Sequence, residues 1–251
     1  MIESKDNNLI KLCKQIKQKK FSREKGLCLV ETIKVVSELY LKGLVSDILV
    51  VQGKYDLIKQ YSNARIEIIS DSIANLLSDT VTTDGVFAIC KIPVINNTDY
   101  SRCIILDEIQ DPSNIGAIIR SARAFGYNTV FAINSVYPYS YKCIRASMGY
   151  IFDINYIDIT YEELLKIKKE NNMLFVSADM DGAIVDTCKV DTNMALIIGN
   201  EGNGVSRILK TYSDKVVAIP MENGVESLNA SVSAGILMYL LKQWGNFYVR
   251  T

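Results

Sequence analysis

A strand-to-helix junction decides the fold of this chain; it reads DPSNIGAIIRSARAFG and spans residues 111–126. The apolar run before it, at 103–106, has the length of a buried strand. The apolar side chains within it recur at the spacing of a helix that packs by one face, namely Ile115, Ile118, Ile119, Ala122 and Phe125. Two later segments repeat this order, IIGNEGNGVS at 197–206 and IPMENGVESLNASVSAG at 219–235. Apolar strands that alternate with helices predict an α/β fold with a parallel sheet covered on both faces.

The same alternation extends over the rest of the chain. Candidate strands lie at 103–106, 129–133, 173–177, 195–198 and 216–219, and candidate helices at 114–125, 139–147, 161–170, 205–212 and 228–244. A smaller α/β layer precedes them, with helices at 9–16, 32–41 and 73–77 and strands at 27–30, 47–51, 66–69 and 86–92. A polar stretch that opens with Pro93 separates the two layers. We therefore predict domains at 1–92 and 102–251, joined by a linker at 93–101.

Charge is balanced overall but unevenly placed. The chain has 28 basic and 28 acidic residues, which argues against a basic coat over the whole surface. Basic residues crowd the N-terminus, where Glu24 is the only acid among Lys11, Lys14, Lys17, Lys19, Lys20, Arg23 and Lys25. This pattern fits either the solvated face of a helix or a face that contacts nucleic acid phosphates.

Histidine is absent, and the six cysteines form no CxxC pair. These two features exclude the usual zinc sites and histidine-based catalytic triads, so we expect no metal. The N-terminus has no apolar signal region, and no apolar run reaches the roughly 18 residues of a membrane span. We expect a reduced, cytoplasmic protein that does not bind a membrane.

Polar side chains collect where the strands of the three junctions end; they are Asn114, Arg120, Asn200, Glu201, Ser227 and Asn229. The carboxyl edge of a parallel sheet is where ligands bind in open α/β folds. Taken singly, the residues have simpler explanations. Asn114 and Ser227 have the place of helix N-caps, Arg120 could be a surface arginine, and the glycine-rich turn at 199–204 could be only a tight turn.

Together, the three junctions resemble the three signature motifs of the SpoU (TrmH-type) RNA ribose methyltransferases of the SPOUT superfamily. The first motif has Asn114, Gly116 and Arg120 at the family spacing, the second is the G-x-E-G-x-G turn at 199–204, and the third joins Ile-Pro-Met at 219–221 to Ser-Leu-Asn at 227–229. The resemblance implies a SPOUT-type parallel sheet with a trefoil knot, a homodimer and the cofactor S-adenosylmethionine.

The resemblance also implies roles for individual residues. It places Asn114, Arg120, Glu201, Ser227 and Asn229 at the reaction centre. It places the cofactor against Gly199, Asn200, Gly202, Ile219, Met221 and Leu228. We further expect Glu201 to hold the Arg120 guanidinium by a charge-assisted pair. The proton acceptor stays open. The family likeness implies that Arg120 activates the hydroxyl. On physical grounds, Arg120 could instead stay charged and bind the adjacent phosphate, and an oxygen of that phosphate or a water would take the proton.

The N-terminal layer resembles the substrate-binding domain that is fused ahead of SpoU catalytic domains and has a ribosomal-protein-like RNA-binding fold. Asn8-Leu-Ile-Lys11, the lysine run and Leu29-Val-Glu31 carry this likeness. The chain departs from the family at Leu9, where proline is usual, and at Thr32, where glycine is usual. The stretch at 144–149 also resembles a family segment. We predict RNA contacts at Lys11, Lys19, Lys20, Arg23 and Arg145, although Arg145 could equally be a surface residue.

We therefore predict methyl transfer from S-adenosylmethionine to a ribose 2′-hydroxyl of structured RNA, with ribosomal RNA ahead of transfer RNA. The alternatives are a ribosomal RNA methyltransferase that confers antibiotic resistance and an RNA-binding protein that has lost catalysis. A nucleotide-binding dehydrogenase is a weaker third alternative, because the chain has no dinucleotide-binding fingerprint.

Overall fold

A computed structural model describes residues 1–94, 98–184, 193–222 and 224–242. The helices are α1 Asn8–Ile16, α2 Lys19–Lys25, α3 Ile33–Leu41, α4 Asp71–Leu77, α5 Pro112–Phe125, α6 Tyr141–Ala146, α7 Tyr161–Glu170, α8 Arg207–Tyr212 and α9 Ala230–Leu241. The strands are β1 Leu27–Glu31, β2 Val45–Val51, β3 Arg65–Ile69, β4 Val86–Lys91, β5 Arg102–Asp107, β6 Thr129–Ile133, β7 Asn155–Asp158, β8 Leu174–Ile184, β9 Met194–Gly199 and β10 Lys215–Ala218.

The chain forms two compact units, Met1–Ile95 with Tyr137–Phe152 and Asn96–Val136 with Asp153–Thr251. The change of unit after residue 95 falls inside the stretch that the sequence suggested as a linker. The return of Tyr137–Phe152 to the first unit was not predicted, because it rests on packing between residues far apart in sequence. Division into independently folding domains at 93–101 stays a prediction.

The first unit is built on a four-stranded sheet in the order β1-β4-β2-β3. β4 runs antiparallel to both of its neighbours, and β2 and β3 run parallel. The apolar stripe of α1 packs onto this sheet through Ile10, Cys13 and Ile16, which meet Leu29 and Phe87. Gly26 ends α2 with a left-handed φ of 62°, a conformation that glycine adopts without a steric penalty.

Thr32, where the related family usually has glycine, connects β1 to α3 in a strained conformation. Its φ is 90° and its ψ is 134°, a region that a β-branched residue rarely enters. The Thr32 side chain accepts a long hydrogen bond of 3.5 Å from the Val35 N–H, so the helix cap that it forms is weak.

We expect Thr32→Gly to raise the free energy of unfolding by about 1 kcal/mol, because relief of the backbone strain outweighs the lost cap and the added freedom of the unfolded chain. Chemical denaturation measures this change. Thr32→Ala is the control: it keeps the strained backbone and loses the cap, so it should destabilise. A Thr32→Gly variant that is less stable than the parent would contradict the strain.

The second unit holds a six-stranded sheet in the order β10-β8-β9-β5-β6-β7, and every pair in it is parallel. This confirms the predicted α/β fold with a parallel sheet. The ends of β5, β9 and β10 lie at the carboxyl edge because all strands run the same way. The register between β8 and β10 jumps, since Val216 pairs with Ser177 whereas Val217 pairs with Ala183. Residues 178–182 therefore form a bulge between the two stretches of β8 that pair with β10.

Several helix boundaries in the structure differ from the predicted ones. α5 begins at Pro112 rather than at residue 114, because the Asp111 side chain caps the helix by accepting from the Ser113 N–H. α9 begins at Ala230 rather than at residue 228; the predicted end at residue 244 lies outside the described residues. The sequence patterns did not reveal α2 or β7, which are short and carry little periodicity.

Candidate active site

A chain of hydrogen bonds joins the three sequence motifs at the carboxyl edge of the second sheet. The Asn114 amide donates to the Glu201 carboxylate at 2.9 Å, and the Asn229 amide donates to the Asn114 carbonyl oxygen at 3.0 Å. The ends of β5 and β9 bring the first two motifs together, since Asp107 pairs with Gly199 in register. Residues more than 80 positions apart in sequence thus share one polar network.

Asn114 is not a helix cap. It lies in the first turn of α5, is buried, and uses both ends of its amide on side chains from the other two motifs. Asn229, rather than Ser227, caps α9: its side-chain oxygen accepts from the N–H groups of Ser231 and Val232. Ser227 is exposed two residues before this cap.

Glu201 is an ionised acceptor. Burial acts to raise the pKa of its carboxyl, but the hydrogen bonds from Asn114 and from the backbone N–H groups of Asp111 and Gln110 outweigh burial and lower the pKa below its usual value. A carboxylate with a lowered pKa is a weak base at neutral pH. Glu201 therefore fits the role of holding Asn114 in position better than that of removing a proton.

The expected pair between Glu201 and Arg120 does not form, and that prediction was wrong. The Glu201 oxygens accept instead from Asn114, Asp111 and Gln110. Arg120 lies six residues further along α5, about 9 Å along the helix axis. It is exposed and makes no ion pair or hydrogen bond within the part of the chain that the structure describes. Its guanidinium is available to a ligand from outside this unit.

The glycine-rich turn folds back on its own start. A Cβ placed on Gly199 would lie 2.2 Å from the backbone of Gly204 and of Val205, so residue 199 must be glycine. The Asn200 side chain fastens the turn, because its amide donates to the Glu108 carbonyl at 2.8 Å and its oxygen accepts from the Gly202 N–H at 2.9 Å. The need for glycine at 199 thus comes from the turn itself rather than from close approach of a ligand.

A second support for this turn was missed by sequence reasoning. The buried Asp107 carboxylate accepts from the Ser206 N–H at 2.7 Å and from the Tyr161 hydroxyl at 2.8 Å. Burial, and then the nearby carboxylates, raise the pKa of Tyr161 to about 12, so its hydroxyl stays a donor. The only signal in the sequence was an aspartate that ends an apolar strand.

Next to the polar network lies a cleft of about 450 Å³. All the predicted cofactor residues line it, namely Gly199, Asn200, Gly202, Ile219, Met221 and Leu228. Glu201 and Ser227 line it as well, whereas Asn114, Arg120 and Asn229 do not. A cleft of this volume, with both apolar and polar groups in its walls, suits a nucleoside-sized ligand.

An ion pair on the wall of the cleft was not predicted. The Lys210 ammonium lies 2.5 Å from the Asp179 carboxylate, and both side chains line the cleft. Asp179 belongs to the segment 178–182 that leaves the β8 ladder. Sequence patterns gave no sign of it, because its position depends on the register jump between β8 and β10.

The side chains predicted to contact RNA all lie in the first unit, and they differ in whether another group of the chain already contacts them. Lys19, Lys20 and Arg145 are exposed and have no partner among the described residues. Lys11 lies 3.6 Å from Asp6, and the Arg23 guanidinium lies 5.2 Å from the centre of the Tyr137 ring. Lys17, from the same basic run, donates to the Leu77 carbonyl and the Asp79 carboxylate instead.

No group of three potential metal ligands exists among the residues that the structure describes. In the same ranges, none of the helices has the length and apolar character needed to cross a membrane.

Comparison with known proteins gives two family matches. A sequence model of the SpoU rRNA Methylase family matches residues 101–239, and one of an MRM3-like substrate binding domain matches residues 7–88. The 23S rRNA (guanosine(2553)-2′-O)-methyltransferase RlmP of Bacillus subtilis is 28% identical over 244 residues, which is 96% of this chain and 98% of that protein. The 23S rRNA (adenosine(1067)-2′-O)-methyltransferase of Streptomyces laurentii is 31% identical over 184 residues, covering 70% of this chain and 68% of that protein.

Among solved structures, an rRNA methyltransferase from Sinorhizobium meliloti with bound AdoMet matches with a TM-score of 0.84 at 20% identity, over 96% of each chain. At this level of identity the likeness shows the fold alone.

Proposed function

The chain belongs to the SpoU rRNA methylase family, and on this premise we propose that it transfers the methyl group of S-adenosylmethionine to a ribose 2′-hydroxyl of ribosomal RNA. The observation that carries the proposal is the hydrogen-bonded chain Glu201–Asn114–Asn229 beside a nucleoside-sized cleft. A fold alone does not require a buried asparagine that links two other polar side chains; a site that positions a polar substrate does.

S-Adenosylmethionine supplies an electrophilic methyl group when it is bound. The residues that would hold it are Gly199, Asn200, Gly202, Ile219, Met221 and Leu228, which line the cleft. We expect the turn at 199–204 and the segment that follows β10 to hold the cofactor largely through backbone groups.

Asn114 and Asn229 orient the ribose, and Glu201 holds Asn114 in place. Arg120 binds the phosphate next to the target ribose through the paired donors of its planar guanidinium. The 2′-hydroxyl proton then passes to an oxygen of that phosphate or to a water, because the Glu201 oxygens already accept hydrogen bonds from Asn114, Asp111 and Gln110. Ser227 lines the cleft, and we expect its hydroxyl to face the reacting groups.

The RNA is ribosomal rather than transfer RNA, a choice supported by relatives such as RlmP that are named for 23S rRNA.

We also propose a homodimer formed through α5 and α9. Their shared face exposes Val232, Tyr239 and Leu240 beside Phe125 and Ile236, and sedimentation analysis would detect the pairing. We further propose a trefoil knot in the second unit. We also propose a cytoplasmic location, because free and buried thiols are typical of a reducing compartment; they are Cys13, Cys28, Cys90, Cys103 and Cys143.

The basic first unit supplies affinity for RNA through phosphates. We expect the double variant Lys19→Ala with Lys20→Ala to bind RNA more weakly, while its affinity for S-adenosylmethionine is unchanged. The plot of the logarithm of the RNA binding constant against the logarithm of the salt concentration should become shallower by about two counterions. Filter binding over a salt series measures the effect. Lys166→Ala with Lys169→Ala removes the same charge from exposed positions of α7 and is the matched control. An equal effect from both pairs would contradict a localised RNA contact.

Point variants are preferable to removal of residues 1–92 for this purpose. Tyr137–Phe152 belongs to the first unit and packs within it: a Cβ on Gly149 would lie 2.8 Å from the Val35 side chain. Truncation would leave this segment without its partners.

Incubation of the purified protein with S-adenosylmethionine and ribosomal RNA, followed by digestion to nucleosides, tests the proposed reaction. We expect a nucleoside methylated on the ribose 2′-oxygen. A methyl group on a base would contradict the proposal. Cofactor binding without any transfer would favour the alternative of an RNA-binding protein that has lost catalysis.

A further inference from the structure

The ion pair between Asp179 and Lys210 lies on the cleft wall, and the proposed reaction does not use it. The Asp179 side chain is 23% exposed and the Lys210 side chain 47%. The neighbours of Asp179 on the wall are apolar, since Ala178 and Met180 flank it in sequence and Val217 also lines the cleft. A carboxylate among apolar groups is costly to desolvate unless it is paired and hydrogen-bonded.

The Asp179 carboxylate retains capacity to accept further hydrogen bonds. One oxygen faces the Lys210 ammonium at 2.5 Å, and the other accepts from the Asp181 N–H at 3.3 Å; the Met180 N–H also acts on this carboxylate. A carboxylate has about four acceptor positions, so these contacts among the described residues do not fill it. The contact with Lys210 lowers the pKa of Asp179, so the group is ionised and can only accept.

We propose that Asp179 binds the two ribose hydroxyls of the cofactor and is the side chain by which the cleft selects a ribonucleoside. This inference rests on the proposed function, because it takes the cleft as the cofactor site. Vicinal hydroxyls are paired donors, and a carboxylate accepts both at once; acidic side chains hold nucleotide riboses in this way in other α/β folds. Lys210 keeps Asp179 ionised and fixes its direction.

The ribose fits this position better than the amino-acid end of the cofactor. The reacting group must lie toward Ser227 and Glu201, the part of the cleft beside the Asn114 network. The wall at Ala178, Met180 and Val217 is apolar and suits an adenine base with its sugar. The amino-acid end would have to separate Asp179 from Lys210 in order to pair with either, whereas the ribose hydroxyls can use acceptor positions of Asp179 that Lys210 does not occupy.

Calorimetry with 5′-methylthioadenosine, its 2′-deoxy and 3′-deoxy forms and S-adenosylmethionine tests the assignment on the full chain. 5′-Methylthioadenosine keeps the base and ribose and lacks the amino-acid end. For the unchanged protein we expect loss of either hydroxyl to weaken binding about tenfold, the scale of a hydrogen bond to a charged group. For Asp179→Asn we expect weaker binding of the parent nucleoside, no further loss for the deoxy forms, and an unchanged preference for S-adenosylmethionine.

Asp181→Asn is the matched control, since Asp181 is exposed, lies two residues away and does not line the cleft. It should retain the full discrimination between the ribose and deoxy forms. Equal affinity of the unchanged protein for all the nucleosides would overturn the assignment and leave the cofactor site in place. A loss in Asp179→Asn of the preference for S-adenosylmethionine over 5′-methylthioadenosine would overturn it too, because the carboxylate would then face the amino-acid end.

Absence of binding for S-adenosylmethionine and for every nucleoside would instead reject the proposed function itself. The comparison among nucleosides in the unchanged protein needs no variant, so it stands even if a substitution at Asp179 disturbs folding.

Discussion

Gly199→Ala is expected to abolish binding of S-adenosylmethionine, although the change adds a single methyl group. The added Cβ would lie 2.2 Å from the backbone of Gly204 and Val205, a distance at which the turn must open. Opening the turn would displace Asn200 and Glu201 together, since both are fixed by contacts that start from it. Affinity should fall at least about a hundredfold, as expected when a preorganised backbone site is lost.

Gly53→Ala is the control for this prediction. Gly53 does not line the cleft, and a Cβ at this position would meet no atom within 4 Å. Calorimetry on both variants, with thermal unfolding to confirm that each is folded, separates a local effect from a general one. Normal cofactor affinity in Gly199→Ala would show that the turn does not form the cofactor site.

Arg120→Ala is expected to slow methyl transfer by about a hundredfold or more while leaving cofactor affinity nearly unchanged. The loss is on the scale of removing a preorganised electrostatic group from a reaction centre. Cofactor affinity should persist because Arg120 does not line the cleft. Arg120→Lys should restore little, since an ammonium lacks the planar pair of donors that a guanidinium offers to a phosphate.

Single-turnover rates with RNA and cofactor both saturating are the proper measurement, because they separate chemistry from binding. Arg123→Ala is the matched control: it removes the same charge from an exposed position on the same helix. If Arg120→Ala and Arg123→Ala had equal rates, Arg120 would have no special role in the reaction.

Local patterns predicted the second sheet well because its signals lie within single segments. A few adjacent residues are enough to indicate each apolar strand, as at β5, β6 and β9. The same holds for the end of α5 at Gly126. The start of α5 was visible too: an aspartate followed by proline is a common helix opening, and it should have taken precedence over Asn114. The nearest polar residue of a motif is thus not always its cap.

Features that depend on two distant segments could not be predicted in this way. The Asp179–Lys210 pair requires the register jump between β8 and β10, which no single strand encodes. The expected pair of Glu201 with Arg120 ignored the backbone N–H groups of Gln110 and Asp111, which any strand-to-helix junction exposes. Tyr137–Phe152 joins the first unit through contacts such as the 2.8 Å hydrogen bond between the Tyr137 and Ser22 hydroxyls.

The most direct test of the central claim is a map of 2′-O-methyl groups in ribosomal RNA from three strains. One strain carries the unchanged gene, one lacks it, and one carries the Arg120→Ala form. We predict a ribose methyl group that is present in the first strain and missing from the other two. Identical maps in all three strains would contradict the claim that this chain methylates ribosomal RNA through the site described.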